Sequence, residues 1–222
     1  MFALLSENAK YNDLINPFIA LAPVTTVAHI KSPVRYLANG FLLNFIQWSG
    51  GPFLASNSLM KLLATGCPSQ LSFICSNTLF LMAGFNKEQY NERRSAAILS
   101  HMPSGTSAWN VIHFARNYKS KKFQKFDLGT KADNRKRYDG QDSPPEYHLE
   151  RISCPKIALM HSDNDYLASP DDVSLLKSKL TVPLLDDYRV PLTSWNHLDF
   201  LLGIDAGKYI NQRIVKLLNE SS

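Results

Sequence analysis

Two short apolar runs with the character of buried parallel strands lie far apart in this sequence, and their separation constrains the fold more than any other feature. They are residues 18–22 and 156–161, and short, nearly continuous apolar runs are typical of strands covered on both faces. From about residue 27 to 143, helical stretches alternate with Gly and Pro breaks, and no strand pattern stands out. The helices predicted in this block are at residues 33–48, 56–65, 70–83, 87–99 and 106–119. We therefore predict an α/β fold, in which a large, mainly helical cap or lid interrupts a parallel sheet with flanking helices.

The α/β pattern returns after the second apolar run. A turn at residues 162–165 leads to a predicted helix at 170–180, which begins with Pro170 and carries acids in its first turn, as the helix dipole favours. A last strand is predicted at 187–190 and a final amphipathic helix at 205–218.

Two polar side chains follow successive predicted strands of this C-terminal part. Asp165 follows one strand, and His197 follows the next, 32 residues later. Ligands of open parallel sheets bind outside the carboxyl ends of the strands, where this carboxylate and imidazole would meet, as a serine hydrolase requires. The spacing alone leaves other readings open. An Asp in such a turn is more often turn chemistry, a loop His is more often solvated, and Asp163, Asp171 and Asp172 are competing acids.

Several blocks of the sequence resemble the gastric and lysosomal acid lipases, in the same order and along nearly the whole chain. Residues 195–200 read WNHLDF, which resembles the block around the catalytic His of that family, and residues 164–173 resemble the block around its catalytic Asp. Further similar blocks lie at residues 20–24, 75–77, 84–86, 99–107 and 138–139. The resemblance implies that Asp165 is the acid of a Ser-Asp-His triad and that His197 is its general base.

The resemblance also implies a partial α/β-hydrolase fold, with the last strands of the sheet and a large helical cap. Residues 1–26 would be the end of the nucleophile helix and the following core strand, residues 27–143 the cap, and residues 144–222 the C-terminal core. Cys67 and Cys75 resemble the pair that forms the family's cap disulfide. Their spacing by itself leaves this bridge open, and Cys154 would have no partner.

The G-x-S-x-G elbow that carries the family's nucleophile does not occur in the 222 residues. Family members place this elbow just before the helix that begins here at Met1, so we expect the serine and the oxyanion donors upstream of Met1. The chain by itself is then expected to be inactive, because both main contributions to the rate enhancement are absent from it.

The function implied by the resemblance is hydrolysis of neutral lipid esters, with triacylglycerols or cholesteryl esters as substrates and a lipid-water interface as the place of action. Aromatic side chains of the cap are candidates for an acyl pocket, or are ordinary cap core: Phe41, Phe45, Trp48, Phe53 and Phe73. The alternative is a non-catalytic protein, derived from a lipase, that binds lipids or a partner. A carboxylesterase for small esters is a third reading, which the WNHLDF block disfavours.

Composition excludes several other classes. The net charge of +5 comes largely from basic residues at 119–125 and 131–137, but no nucleic-acid-binding motif accompanies them, so we expect a solvated face and no nucleic-acid partner. The His and Cys spacings match no metal site, and no phosphate-binding loop is present, so we expect no metal and no cofactor.

The same sequence gives expectations about membranes and localisation. No apolar run reaches the roughly 18 residues of a transmembrane helix, and residues 1–10 lack the features of a signal peptide. The resemblance implies a full-length parent that is secreted or lysosomal. The sequon at Asn219 lends weak support to a secreted glycoprotein.

Overall fold

The computed structural model describes residues 1–53, 72–101 and 105–221 of the chain, and the structural statements below concern these residues. The strands are β1 (Phe18–Leu21), β2 (Pro52–Phe53), β3 (Thr106–Ser107), β4 (Ile157–His161) and β5 (Asp186–Arg189). The helices are α1 (Phe2–Glu7), α2 (Lys10–Leu14), α3 (Gly40–Ser49), α4 (Ser72–Ala83), α5 (Ser95–His101), α6 (Ala108–Ser120), α7 (Lys131–Arg137), α8 (Pro170–Lys179), α9 (Asp199–Leu202) and α10 (Gln212–Ser221). Short 3-10 helices occupy Pro33–Ala38, Lys87–Gln89, Glu92–Arg94 and Leu149–Arg151, and Gly207–Asn211 is a π-helical turn.

The predicted parallel sheet is confirmed. Its three strands run in the order β1-β4-β5, all parallel, with Phe18 opposite Ile157 and Leu159 opposite Asp187. The central strand β4 is buried along its whole length, because it has a strand on each side and helices on both faces. This double covering explains its nearly continuous apolar sequence.

The two faces of the sheet carry separate apolar clusters. Ala158 and Met160 contribute to the cluster of Trp195 and Ile210 on one face. Ile157 and Leu159 contribute to the cluster of Leu5 and Leu176 on the other face, and the alternation follows from the two-residue period of a strand. The helices of both termini and α8 therefore fix the sheet, and the loops that follow β4 and β5 leave it at one edge.

The segment between β1 and β4 is mainly helical in its described parts, as predicted. Its core packs α3 against α6 through Leu43, Ile46, Val111, Ile112 and Ala115. The division of the chain at residues 26 and 143 stays a prediction. The predicted helix at 56–65 lies outside the described residues.

Several boundaries differ from the sequence-based expectation. The helix predicted from Thr106 begins at Ala108, because Thr106 pairs with Phe53 in a two-residue antiparallel ladder and the Ser107 side chain caps Trp109 N. Strands of two residues are too short to produce an alternating pattern. The stretch predicted as one helix at 87–99 is two 3-10 turns followed by α5.

The predicted basic face carries ion pairs at the surface. Lys125 pairs with Glu7, and Lys131 and Arg135 both pair with Asp142. Among the described residues, no helix is long and apolar enough to cross a membrane.

A buried side-chain amide links the N-terminal helices to the segment that leads into the central strand β4. Asn12 is fully buried; its Nδ2 donates to Leu5 O at 3.0 Å, and its Oδ1 accepts from Ser153 N at 3.1 Å and Cys154 N at 3.0 Å. The side chain therefore satisfies backbone groups on both sides of the contact between α1 and the segment that leads into β4.

We expect Asn12→Ala to lower the free energy of unfolding by about 2 kcal/mol or more, because it leaves two inward-facing N–H donors without an acceptor. Urea denaturation measures the loss. The matched control is Asn110→Ala, which removes an exposed hydrogen bond to Thr106 and should cost less than about 0.5 kcal/mol. Equal losses in the two variants would contradict the role given to Asn12.

Candidate active site

The loop after β4 encloses the carboxylate of Asp165. This side chain is only 1% exposed, and its Oδ1 accepts from Leu167 N at 2.8 Å and from Ala168 N at 2.7 Å. The acid therefore orders its own loop, because a buried charge requires hydrogen-bond partners and the backbone supplies them here.

His197, in the loop after β5, contacts this carboxylate directly. Its ring Nδ1 lies 2.9 Å from Asp165 Oδ2 and 3.1 Å from Oδ1. The structure thus brings together the two residues that the sequence analysis selected. With Nδ1 protonated and donating to Asp165, the lone pair of the ring is on Nε2, where a general base needs it.

No nucleophile accompanies the pair in the described residues. Within residues 1–53, 72–101 and 105–221, no Ser, Thr or Cys side chain forms a hydrogen bond with His197. The arrangement can hold an imidazole in one tautomer and stabilise its protonated form, which is the work of two members of a triad.

The competing acids have other partners or positions. Asp163 forms a bidentate contact with Arg189, at 2.8 and 2.5 Å. Asp172 is buried and binds Thr26, His29 and Ser169, so that it joins the loop after β1 to the start of α8. Asp171 is exposed in the first turn of α8. Among these acids, Asp165 is the one that contacts His197.

Two further side chains support the His197 loop, and sequence reasoning assigns neither of them a role. Asp199 Oδ2 accepts from Asn196 N at 2.8 Å and from Asn86 Nδ2 at 2.7 Å. Asn196 and Asp199 are three residues apart, a spacing typical of local turn hydrogen bonds. The sequence therefore contained a local signal that Asp199 supports the turn before His197. No local signal existed for Asn86, because it lies 113 residues earlier in the chain.

The environment of Asp199 disfavours its charge. Burial raises the pKa of Asp199 from 3.8 to about 6, against the hydrogen bonds from Asn196 and Asn86, which favour the carboxylate. The partners that the structure gives this side chain are amides and not cations, so their hydrogen bonds offset only part of the effect of burial on the pKa.

The aromatic residues predicted to line an acyl pocket are placed differently. Phe41, Phe45 and Trp48 lie on α3 and are 84%, 55% and 83% exposed, while Phe53 packs against the α3–α6 core. The side chain of Phe73, and the predicted bridge between Cys67 and Cys75, lie outside the described residues. Cys154 is a buried free thiol.

Known proteins similar to this chain are lipases. The chain is 37% identical to human gastric triacylglycerol lipase over 99% of its own length and 54% of that protein. It is 37% identical to lipase lipl-5 of Caenorhabditis elegans over 99% of its length and 56% of that protein, and 32% identical to human lysosomal acid lipase/cholesteryl ester hydrolase over 99% and 54%. The chain therefore spans about half the length of the curated relatives it matches.

Two other comparisons add little. No family model matches the chain. A solved α/β-hydrolase-fold protein from Nakamurella multipartita is 13% identical, with a TM-score of 0.43 over 100% of this chain and 65% of that one.

The sheet and its paired side chains define a class: an α/β protein with an acid and a His after adjacent parallel strands, in the order found in Ser-acid-His hydrolases. Within that class the chain is related, over nearly all of its length, to the gastric and lysosomal acid lipases, which are carboxylic ester hydrolases. The resemblance predicted from the sequence is confirmed.

The raised pKa of Asp199 predicts a pH dependence of stability. The folded state binds this proton more tightly than the unfolded state, so the stabilisation is fully present below about pH 4 and is lost as the pH rises through about 6. The loss is at most about 3 kcal/mol, which corresponds to a shift of about two pKa units.

Asp199→Asn should remove this dependence, because the variant has no proton to release. Urea denaturation of both proteins between about pH 4 and 7 measures it: the wild type should lose stability relative to the variant as the pH rises. A difference that stays constant across this range would contradict the raised pKa.

Proposed function

We propose that this chain provides the acid and the general base of a Ser-Asp-His triad in a lipase that hydrolyses neutral lipid esters. The observation that carries the proposal is the contact between His197 Nδ1 and a nearly fully buried Asp165 carboxylate, at 2.9 Å. The names of the relatives, which include triacylglycerol and cholesteryl ester hydrolases, support the substrate class. The gastric and lysosomal relatives support a secreted or lysosomal parent protein.

The mechanism follows from the tautomer that Asp165 selects. His197 Nε2 takes the proton of the attacking serine while the serine oxygen bonds to the ester carbonyl carbon. The imidazolium, stabilised by Asp165, then gives that proton to the leaving alcohol as the C–O bond breaks, which leaves an acyl-enzyme. Water then attacks the acyl carbon while His197 takes a proton from it, the bond between the acyl carbon and the serine oxygen breaks, and His197 returns the proton to that oxygen as the fatty acid leaves.

The 222 residues contain no G-x-S-x-G elbow that would carry the serine of this mechanism. We therefore propose that the 222-residue chain by itself hydrolyses no ester. A nucleophile and an oxyanion hole from a preceding segment would complete the site.

A chimera tests the triad assignment. The N-terminal segment of human gastric triacylglycerol lipase, which contains its nucleophile elbow, is joined ahead of these 222 residues, and hydrolysis of a triacylglycerol emulsion is measured. His197→Ala and Asp165→Asn should each lower kcat by about a thousandfold or more, because the first removes the base and the second the tautomer control.

The control is His148→Ala, which removes another His that contacts a carboxylate, Glu150, at an exposed position. It should leave kcat within about twofold, as an exposed pair contributes little. Full activity of the His197→Ala chimera would refute the assignment. Hydrolysis by the isolated chain that depends on His197 would refute its proposed inactivity.

An exposed aromatic face supports a lipid-water interface as the place of action. Phe41, Phe45 and Trp48, here called the α3 stripe, recur at helical spacing and point away from the α3–α6 core. Exposure of large apolar side chains to water is unfavourable, and their insertion into a lipid surface lowers the free energy. We propose that the α3 stripe contacts the lipid surface.

We expect Phe41→Ser/Trp48→Ser to weaken adsorption of the chain to a triolein emulsion by about tenfold or more, because each side chain loses apolar burial worth more than about 1 kcal/mol. Centrifugation of emulsion droplets measures the bound fraction. Leu14→Ser is the control, since Leu14 is a 65% exposed apolar residue of α2 outside the stripe. Equal weakening by the control would assign adsorption to general hydrophobicity.

One observation favours the second candidate, a non-catalytic lipid-binding protein. A half-open cavity of about 610 Å³ between α5 and α9 has apolar walls from Ile98, Leu202 and Ile204, with Arg94 and His101 beside them. The guanidinium of Arg94 next to apolar walls suits a fatty acid. An inactive chimera, together with saturable oleate binding to the chain that Arg94→Ala weakens, would favour this function over the triad.

A further inference from the structure

One backbone carbonyl at the end of α4 contacts both loops of the candidate active site. Ala83 O accepts from Tyr166 N at 3.2 Å, in the loop of the acid, and from His197 N at 3.3 Å, in the loop of the base. The segment that follows, residues 83–89, belongs to the predicted cap. It is therefore placed where the loops after β4 and β5 meet.

The next two residues extend this contact to both loops. Gly84 O accepts from Asn196 Nδ2 at 2.9 Å, and Phe85 O accepts from Asn164 Nδ2 at 2.8 Å, while the same Asn164 nitrogen donates to Ser194 O at 2.8 Å. The approach is so close that a Cβ on Gly84, whose φ is +115°, would lie 2.0 Å from Asn164 O. Only glycine fits between the two loops in this conformation.

A buried side-chain contact completes the connection at Asn86. Asn86 and Asp199 are each 4% exposed, and Asn86 Nδ2 donates to Asp199 Oδ2 at 2.7 Å. The same oxygen accepts from Asn196 N at 2.8 Å. Asn86 is therefore linked through one carboxylate oxygen to the residue that precedes His197.

We propose that Asn86 is a positioning residue for His197, which acts by holding Asp199 against the backbone of Asn196 so that the imidazole stays in contact with Asp165. The inference rests on the proposed function of the Asp165–His197 pair and extends it to the predicted cap. The cap segment then has a role in the geometry of the reaction, separate from any contact with substrate. Removal of Asn86 leaves a buried carboxylate with half of its described hydrogen bonds, and the turn that carries His197 loses its fixed orientation.

The same segment provides a matched control. Gln89 Nε2 donates to Asp205 Oδ2 at 2.8 Å, and Gln89 Oε1 accepts from Asp205 N at 2.9 Å, so Gln89 also joins the segment to the C-terminal part of the chain. This contact lies after α9, away from the turn at Asn196. Gln89→Ala and Asn86→Ala each remove one side-chain amide from the same segment. Only Asn86→Ala removes a hydrogen bond to Asp199, the residue that accepts from Asn196 N.

The first measurement uses the 222-residue chain labelled with ¹⁵N-histidine. The ¹⁵N shifts of the neutral His197 ring report its tautomer. In the wild type we expect the Nδ1–H form, held by Asp165, to predominate. Asn86→Ala should change the tautomer ratio by about fivefold toward the Nε2–H form, whereas Gln89→Ala should leave it unchanged.

Urea denaturation of each variant shows that it is folded under the conditions of the spectra. If Asn86→Ala does not fold, Asp199→Asn takes its place, because it keeps the size of the side chain while weakening the acceptor of Asn86. It should change the tautomer ratio in the same direction. An unchanged ratio in a folded variant, or equal changes in Asn86→Ala and Gln89→Ala, would overturn the proposal.

The second measurement uses the chimera described above and separates this inference from the proposed function. Asn86→Ala should lower kcat by about 10-fold to 100-fold with KM within about twofold, since it misplaces the base without touching substrate. Gln89→Ala should leave both within about twofold. If His197→Ala abolishes activity and Asn86→Ala does not lower kcat, only the positioning role fails; if His197→Ala leaves activity intact, the proposed function fails.

Discussion

The buried carboxylate of Asp165 is the group on which the arrangement of the site depends. A charge that is 1% exposed persists only where hydrogen bonds replace water, and here two backbone N–H groups and the ring of His197 do so. The loop after β4 folds around the acid, and the loop after β5 brings the imidazole to it. Both loops leave one edge of a sheet whose central strand is buried on both faces, so the distance between them is set by the strand spacing.

Contact between a His and a carboxylate does not by itself identify a catalytic pair in this chain. The described residues include three other such contacts: His29 with Asp172, His148 with Glu150, and His161 with Asp187. His148 and Glu150 are exposed, and Asp187 also binds Lys177, so that this pair joins β4, β5 and α8. Asp172 already accepts from Thr26 and Ser169. The pair at His197 differs in its position after adjacent parallel strands, where open parallel sheets bind their ligands.

The predicted cap and the C-terminal core are joined at the candidate site by groups that leave little freedom. Gly84 fits between two loops that a Cβ would push apart, and Asn86 reaches a carboxylate whose charge burial disfavours. Among the described contacts, the Asp199 carboxylate is held by two neutral donors, the side-chain amide of Asn86 and the backbone N–H of Asn196. These contacts connect the end of α4 with the loop that carries the His197 imidazole.

The sequence by itself determined the strands β1 and β4 within one residue, because buried parallel strands require nearly continuous apolar runs. It also located β5 within one residue, although β5 is polar and alternates between half-buried and exposed positions. It also selected Asp165 and His197, through their positions after these strands and through the WNHLDF block. Only the tertiary structure decided which acid contacts the imidazole, since Asp163, Asp165 and Asp172 differ in their long-range partners and not in their local pattern. It alone revealed the contact of Asn86 with Asp199 and the exposure of the α3 stripe, because residues 113 apart meet only through packing and helical periodicity does not say which apolar face is covered.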